Sequence, residues 1–79
     1  MILVQGLVTD VERRAGKEEM IENVYVAGGR ETVQVWGPVI PDHQPKVGDS
    51  VAYEVSHSHT NGRCSWRRVR VASVKVAGG

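Results

Sequence analysis

Apolar and polar positions alternate with a period of two along most of this chain, the pattern of strands with one buried face. Ile2 to Val11 predicts a first strand with Gly6 in its interior. A glycine there marks a bend or a close backbone approach, as when one long strand serves two sides of a barrel. Arg13 to Glu19 is polar and predicts a loop. Ile21 to Ala27 predicts a second strand, Gly28-Gly29 a tight hairpin turn, and Glu31 to Ile40 a third strand, so the first three form a meander.

The segment from Pro38 to Pro45 holds all three prolines of the chain, and because proline donates no backbone hydrogen bond it predicts a connection across a barrel end. Lys46-Val47-Gly48-Asp49 turns into a fourth strand, Ser50 to Ser56. The polar run His57 to Gly62 predicts a second hairpin loop onto a fifth strand from Arg63 to about Val76, with Ala77-Gly78-Gly79 a flexible end. No repeat or linker interrupts the chain, which reads as one domain over residues 1–79. Three strands in a meander and two after a connection match the all-β, five-stranded Greek-key barrel of the OB-fold.

The same alternation assigns faces. Val33, Val35, Gly37 and Val39 share one side of the third strand, leaving Thr32, Gln34 and Trp36 on the other. On the second strand Val24 and Val26 oppose Asn23 and Tyr25. Trp36 and Tyr25 thus accompany polar neighbours and are expected to be exposed, while Tyr53, in phase with Val51 and Val55, is expected in the core.

With no Phe among 79 residues, that core must come mainly from Val, Ile, Leu and Ala. A domain this small often gains stability from self-association, which makes a homodimer the expectation. Cys64 is the only cysteine, excluding an intrachain disulfide or a zinc site built on cysteines and fitting a reducing interior. The start, Met-Ile-Leu-Val-Gln-Gly, lacks the features of a signal peptide, and no run approaches the ~20 apolar residues of a membrane span. A soluble, cytoplasmic protein is expected.

Charge changes the picture. The net charge of +1 hides an asymmetry: Arg63 to Lys75 carries Arg63, Arg67, Arg68, Arg70 and Lys75 around Trp66 and no acid, whereas residues 1–62 hold all nine acids. Basic residues interleaved with an aromatic suit a polyanion, although one face of any small sheet must also be wet. Arg13, Arg14 and Lys17 lie in the predicted first loop, a loop that OB-folds use for oligonucleotides, but Glu12, Glu18 and Glu19 are interspersed. His57 and His59 share one side of an extended segment with no carboxylate or second Cys to complete a metal set, and read as solvated. No phosphate loop, HExxH, GxSxG or Cys-His dyad points to an enzyme.

The Met1-Ile2-Leu3-Val4 start, Gly16-Lys17, Glu22-Asn23-Val24-Tyr25-Val26, the Asp42-His43-Gln44-Pro45 connection and Arg68-Val69-Arg70-Val71 near the C-terminus together resemble the gene V type single-stranded-DNA-binding proteins of filamentous bacteriophages. The resemblance covers nearly the whole chain. It implies an OB-fold homodimer that coats single strands cooperatively, with Arg13, Arg14 and Lys17 on a basic wing, Tyr25 stacking, and Arg68 or Arg70 contributing from the last strand. The chain departs from the family at Glu18-Glu19, where Pro-Tyr often stands, which shifts stacking towards Trp36 and Trp66.

These features predict binding of single-stranded nucleic acid, DNA before RNA, largely without sequence preference and without a cofactor. Arg67, Arg68 and Arg70 with Arg13, Arg14 and Lys17 would neutralise phosphates, and Tyr25, Trp36 and Trp66 would stack on bases. The alternatives are a protein-interaction module whose tryptophans are hot spots and an RNA-binding OB domain.

Overall fold

A computed structural model describes residues 2–60 and 62–77. Five strands, β1 (Ile2–Ala15), β2 (Met20–Gly28), β3 (Glu31–Pro38), β4 (Ser50–Thr60) and β5 (Arg63–Lys75), form one sheet that closes in a ring. The order is β1-β2-β3-β5-β4, and every neighbouring pair is antiparallel except β3 with β5.

Closure depends on β1, which pairs with β4 from Ile2 to Leu7 and with β2 from Leu7 to Ala15. Gly6 sits where the strand changes partner, and any side chain there would run into the Ala27 carbonyl. The expected bend and the close backbone approach are therefore one feature. A bulge at Thr9 follows, between the Val8↔Val26 and Asp10↔Tyr25 pairs.

Two predicted loops are shorter than their composition suggests. β1 continues through Ala15, placing Arg13 opposite Glu22 and Arg14 opposite Ile21, so the loop is only residues 16–19, closed by Gly16 N–H to the Glu19 carbonyl at 2.8 Å. β4 likewise runs through Thr60, which makes His57 and His59 strand residues opposite Trp66 and Cys64. Ladder pairing with a neighbouring strand outweighs weak local propensity in both places. The β2–β3 turn falls at Gly29-Arg30, one residue later than expected, with Gly29 at φ +64° and Gly28 paired to Glu31. β3 ends at Pro38, and Ile40 makes only an isolated bridge with His43.

The core is Val8, Val24, Val26, Val35, Val51, Val55 and Tyr53, with Val4, Val11, Val33, Trp66 and Val71 packed around it at half burial. Residues 39–49 connect β3 to β4 outside the strands, as the prolines predict, tied down by Val39 N–H to the Met20 carbonyl and Gly48 N–H to the Val8 carbonyl. Asp49 secures that connection: its Oδ2 accepts from Lys46 N–H at 2.9 Å and its Oδ1 from Ala77 N–H at 3.0 Å, and these backbone donors, Ala77 first, hold its carboxyl below the ordinary range. Ala77 is thus tied to the barrel rather than part of a flexible end, while Gly78 and Gly79 lie outside the described residues. Met1 and Asn61 also lie outside them. Among the described residues no helix is long and apolar enough to cross a membrane.

Candidate nucleic-acid interface

The outer face of β2, β3 and β5 gathers the residues most suited to bases. Asn23 stands opposite Trp36, Tyr25 opposite Gln34, and Trp36 opposite Arg67 across the parallel β3–β5 junction. Trp36 and Tyr25 are half-buried rather than fully exposed. Trp36 lies against β5 because its Nε1–H donates to Ser65 Oγ at 3.0 Å, and the Arg67 guanidinium sits 5.8 Å from its ring centroid, within cation–π range. Gln34 Nε2 donates to Asn23 Oδ1 at 2.7 Å, which helps bury Asn23 on this otherwise wet face. Tyr25 is less free: its hydroxyl is hydrogen-bonded to Glu12, and this bond, reinforced by burial and the charges of Glu12 and Asp10, raises its pKa.

β3 and β5 pair at only two register positions, Val35↔Trp66 and Trp36↔Arg67, and then diverge. Their separation leaves an open-sided groove of about 470 Å³ lined by both tryptophans with Glu31, Thr32, Gln34 and Ser65. Trp36 borders it from the outer face. Trp66 borders it from the interior register, since it packs on the core while His57 covers part of its ring at a centroid distance of 5.0 Å. His57 and His59 are themselves 4.7 Å apart, edge to face.

The sequence alternation places Trp66, Arg68 and Arg70 on one face; the structure separates them. β5 carries bulges, because Val55 pairs with Arg68 and Glu54 with Arg70, and Tyr53 pairs with Val71 while Ala52 pairs with Ser73. The extra residue Val69 reverses the inward–outward phase after Arg68. Trp66 and Arg68 therefore turn inward and Arg70 outward, where it pairs with Glu54 at 3.1 Å. Arg67 is exposed on the outer face.

Arg68 does not reach the surface as the sequence pattern implies. Its Nη1 meets the Oε1 of fully buried Glu22 at 2.6 Å, its Nη2 donates to the Pro38 carbonyl, and its guanidinium lies 5.6 Å from the Tyr53 ring centroid. Gly37 makes room, since a Cβ there would crowd the Arg68 side chain. Arg13 joins the cluster from β1, with Nε 3.2 Å from Glu22 Oε2 and Nη2 3.5 Å from the Pro45 carbonyl. Arg14 and Lys17 remain exposed at the β1–β2 hairpin tip.

The cluster is capped by His43 from the connecting segment, whose Nε2 lies 2.7 Å from the Tyr53 hydroxyl. That hydroxyl also bonds Arg68. A guanidinium only donates, so the Tyr53 oxygen accepts from Arg68, while the direction of its contact with His43 Nε2 follows the imidazole tautomer. Burial, helped by the Arg68 charge, lowers the His43 pKa, and burial pushes Tyr53 up to about 12.

Sequence reasoning missed Asn23, Gln34, Ser65 and Glu31 as groove and platform residues, because nothing local marks a polar strand residue as lying beside a tryptophan of another strand. Glu22 was missed as well, although its phase with Val24 and Val26 is the signal that could have placed it on the buried face. The side chains of Arg63 and Cys64 lie outside the described residues. Among the described residues no group of three or more His, Cys, Asp or Glu is placed to hold a metal ion. The arrangement can stack planar rings and attract anions at Arg67, Arg14, Lys17 and Arg70. No protein-family model, curated protein or solved structure matches the chain.

Proposed function

We propose that this protein is an OB-fold single-stranded nucleic-acid binder, acting on DNA in the cytoplasm without a cofactor and largely without sequence preference. The observation that carries the reading is the pairing of Trp36 and Trp66 along one open groove with Arg67 over Trp36. Stacked bases and a tracked backbone need this combination of rings and a cation. The OB assignment draws support from the strand order, in which three hairpin-connected strands are followed by a fourth that returns by a long connection beside the first, as a Greek key requires. Tyr25, Trp36 and Trp66 serve the bases; Arg67, Arg70, Arg14 and Lys17 serve the phosphates.

A homodimer belongs to the same proposal. Leu3, Leu7 and Val69 are each more than half exposed, and apolar surface of this kind suits a second copy. The test of function is a gel-shift competition between an oligo-dT, an oligo-U and a duplex. The reading requires the oligo-dT to be retained and the duplex to compete poorly; equal competition by the duplex, or no shift at low salt, sinks it.

A further inference from the structure

Resting on that reading, we infer that the β3–β5 groove favours a guanine base, selected by the Glu31 carboxylate. Glu31 is the first residue of β3, exposed beside the turn at Gly29-Arg30, and it lines the groove with both tryptophans. No described residue forms an ion pair or hydrogen bond with its carboxylate. It is the one acid of that lining, and no cation is among the lining residues. Arg67 stands outside the groove, over Trp36. A phosphate is therefore repelled from the groove and drawn to the Arg67 rim, which leaves the groove to a base.

An ionised carboxylate has two acceptor oxygens and no donor. The base that matches it presents two adjacent donors on its Watson–Crick edge. Guanine does so, with N1–H beside the N2 amino group. Adenine and cytosine each place an acceptor nitrogen next to a single amino donor, and thymine and uracil place one N–H between two carbonyls. Against each of these a second carboxylate oxygen faces a lone pair, which costs as much as the first contact gains. Ser65 supplies the complementary donor: its oxygen already accepts from Trp36 Nε1–H, so its own proton is available to a base carbonyl. Stacking on the tryptophans is indifferent to the base, and a Ser65 donor serves guanine and thymine carbonyls alike, so the carboxylate sets the preference of guanine over thymine. A bidentate pair of this type corresponds to about tenfold discrimination or more.

The test uses tryptophan-fluorescence titration with dT oligomers of one length that carry a single central dG, dA, dC or dT. The guanine oligomer should bind about tenfold more tightly than the all-dT one. In Glu31→Ala that ratio should collapse to about one, whatever the change in overall affinity from removing a negative charge. Glu31 lies at an exposed strand end, so circular dichroism should show the fold unchanged. Equal affinity for all four oligomers, or a guanine preference that survives Glu31→Ala, overturns the inference and leaves the nucleic-acid reading standing. Absence of binding to every oligomer overturns both.

Discussion

Arg68 and Glu22 meet at 2.6 Å inside the barrel, with side chains only 3% and 0% exposed, and each has further partners. Arg13 serves the other Glu22 oxygen, and Arg68 Nη2 donates to the Pro38 carbonyl. Removing one member of such a pair strands a buried charge. Arg68→Ala should therefore destabilise the protein by about 3–5 kcal/mol in urea unfolding. Arg70→Ala, on an exposed pair with Glu54, should change stability by less than about 0.5 kcal/mol. Comparable losses for the two variants would contradict the phase reversal at Val69.

Arg67→Ala gives the complementary result. Its guanidinium is exposed over Trp36, so stability should hold while the slope of log affinity against log salt falls by about one. The neighbouring arginines thus separate folding from binding.

His43 makes stability depend on pH. The folded protein keeps it neutral, its pKa lowered from 6.5 by burial and then by Arg68, whereas the unfolded chain takes up a proton at its ordinary value. The stabilisation is complete well above pH 6.5 and declines as pH falls through 6.5 towards the folded-state value. Urea midpoints at about pH 7.5 and about pH 5.5 check this, and His43→Gln should reduce the difference. At the alkaline end Tyr53 acts with the opposite sign: stability should fall as pH rises from 10 towards about 12.

Gly6→Ala tests the closure of the ring. The added methyl would overlap the Ala27 carbonyl, and relief requires moving backbone shared by β1, β2 and β4. A loss at or above the ~1–3 kcal/mol typical of overpacking is expected from thermal melting. Gly29→Ala, with open space around it and only a strained φ of +64°, should cost less.

What the sequence disclosed was whatever depends on alternation and punctuation. Val24 and Val26 announced the buried face of β2, Gly6 announced the turn of β1 between partners, and the prolines announced the connection at 39–49. The misplaced features all depend on pairing at a distance. Arg13 and His57 lie in polar runs that look like loops until a facing strand completes their backbone hydrogen bonds. Arg68 fell on the wrong face relative to Arg70 because one extra residue, Val69, is invisible to a period-two count. The groove was half legible: Trp36 was assigned outward from its own strand, but the meeting of Trp36 with Ser65 and Trp66 exists only through the two-residue contact of β3 with β5.

Trp36→Ala isolates the stacking platform. The ring is partly exposed, so the variant should stay folded and lose well under the ~3–5 kcal/mol of a buried tryptophan. Affinity for oligo-dT should weaken by ~1–3 kcal/mol. Thermal melting and titration of the one variant report both quantities.

The central claim is tested most directly by titrating intrinsic tryptophan fluorescence with oligo-dT at about 50 and about 200 mM salt. Trp36 and Trp66, the only tryptophans, both line the groove, so a bound strand must perturb the signal. Emission should be quenched at the lower salt, with affinity falling steeply at the higher as counterions compete for the arginine and lysine contacts. Emission that stays unchanged at low salt, at oligomer concentrations well above the protein's, would contradict the account.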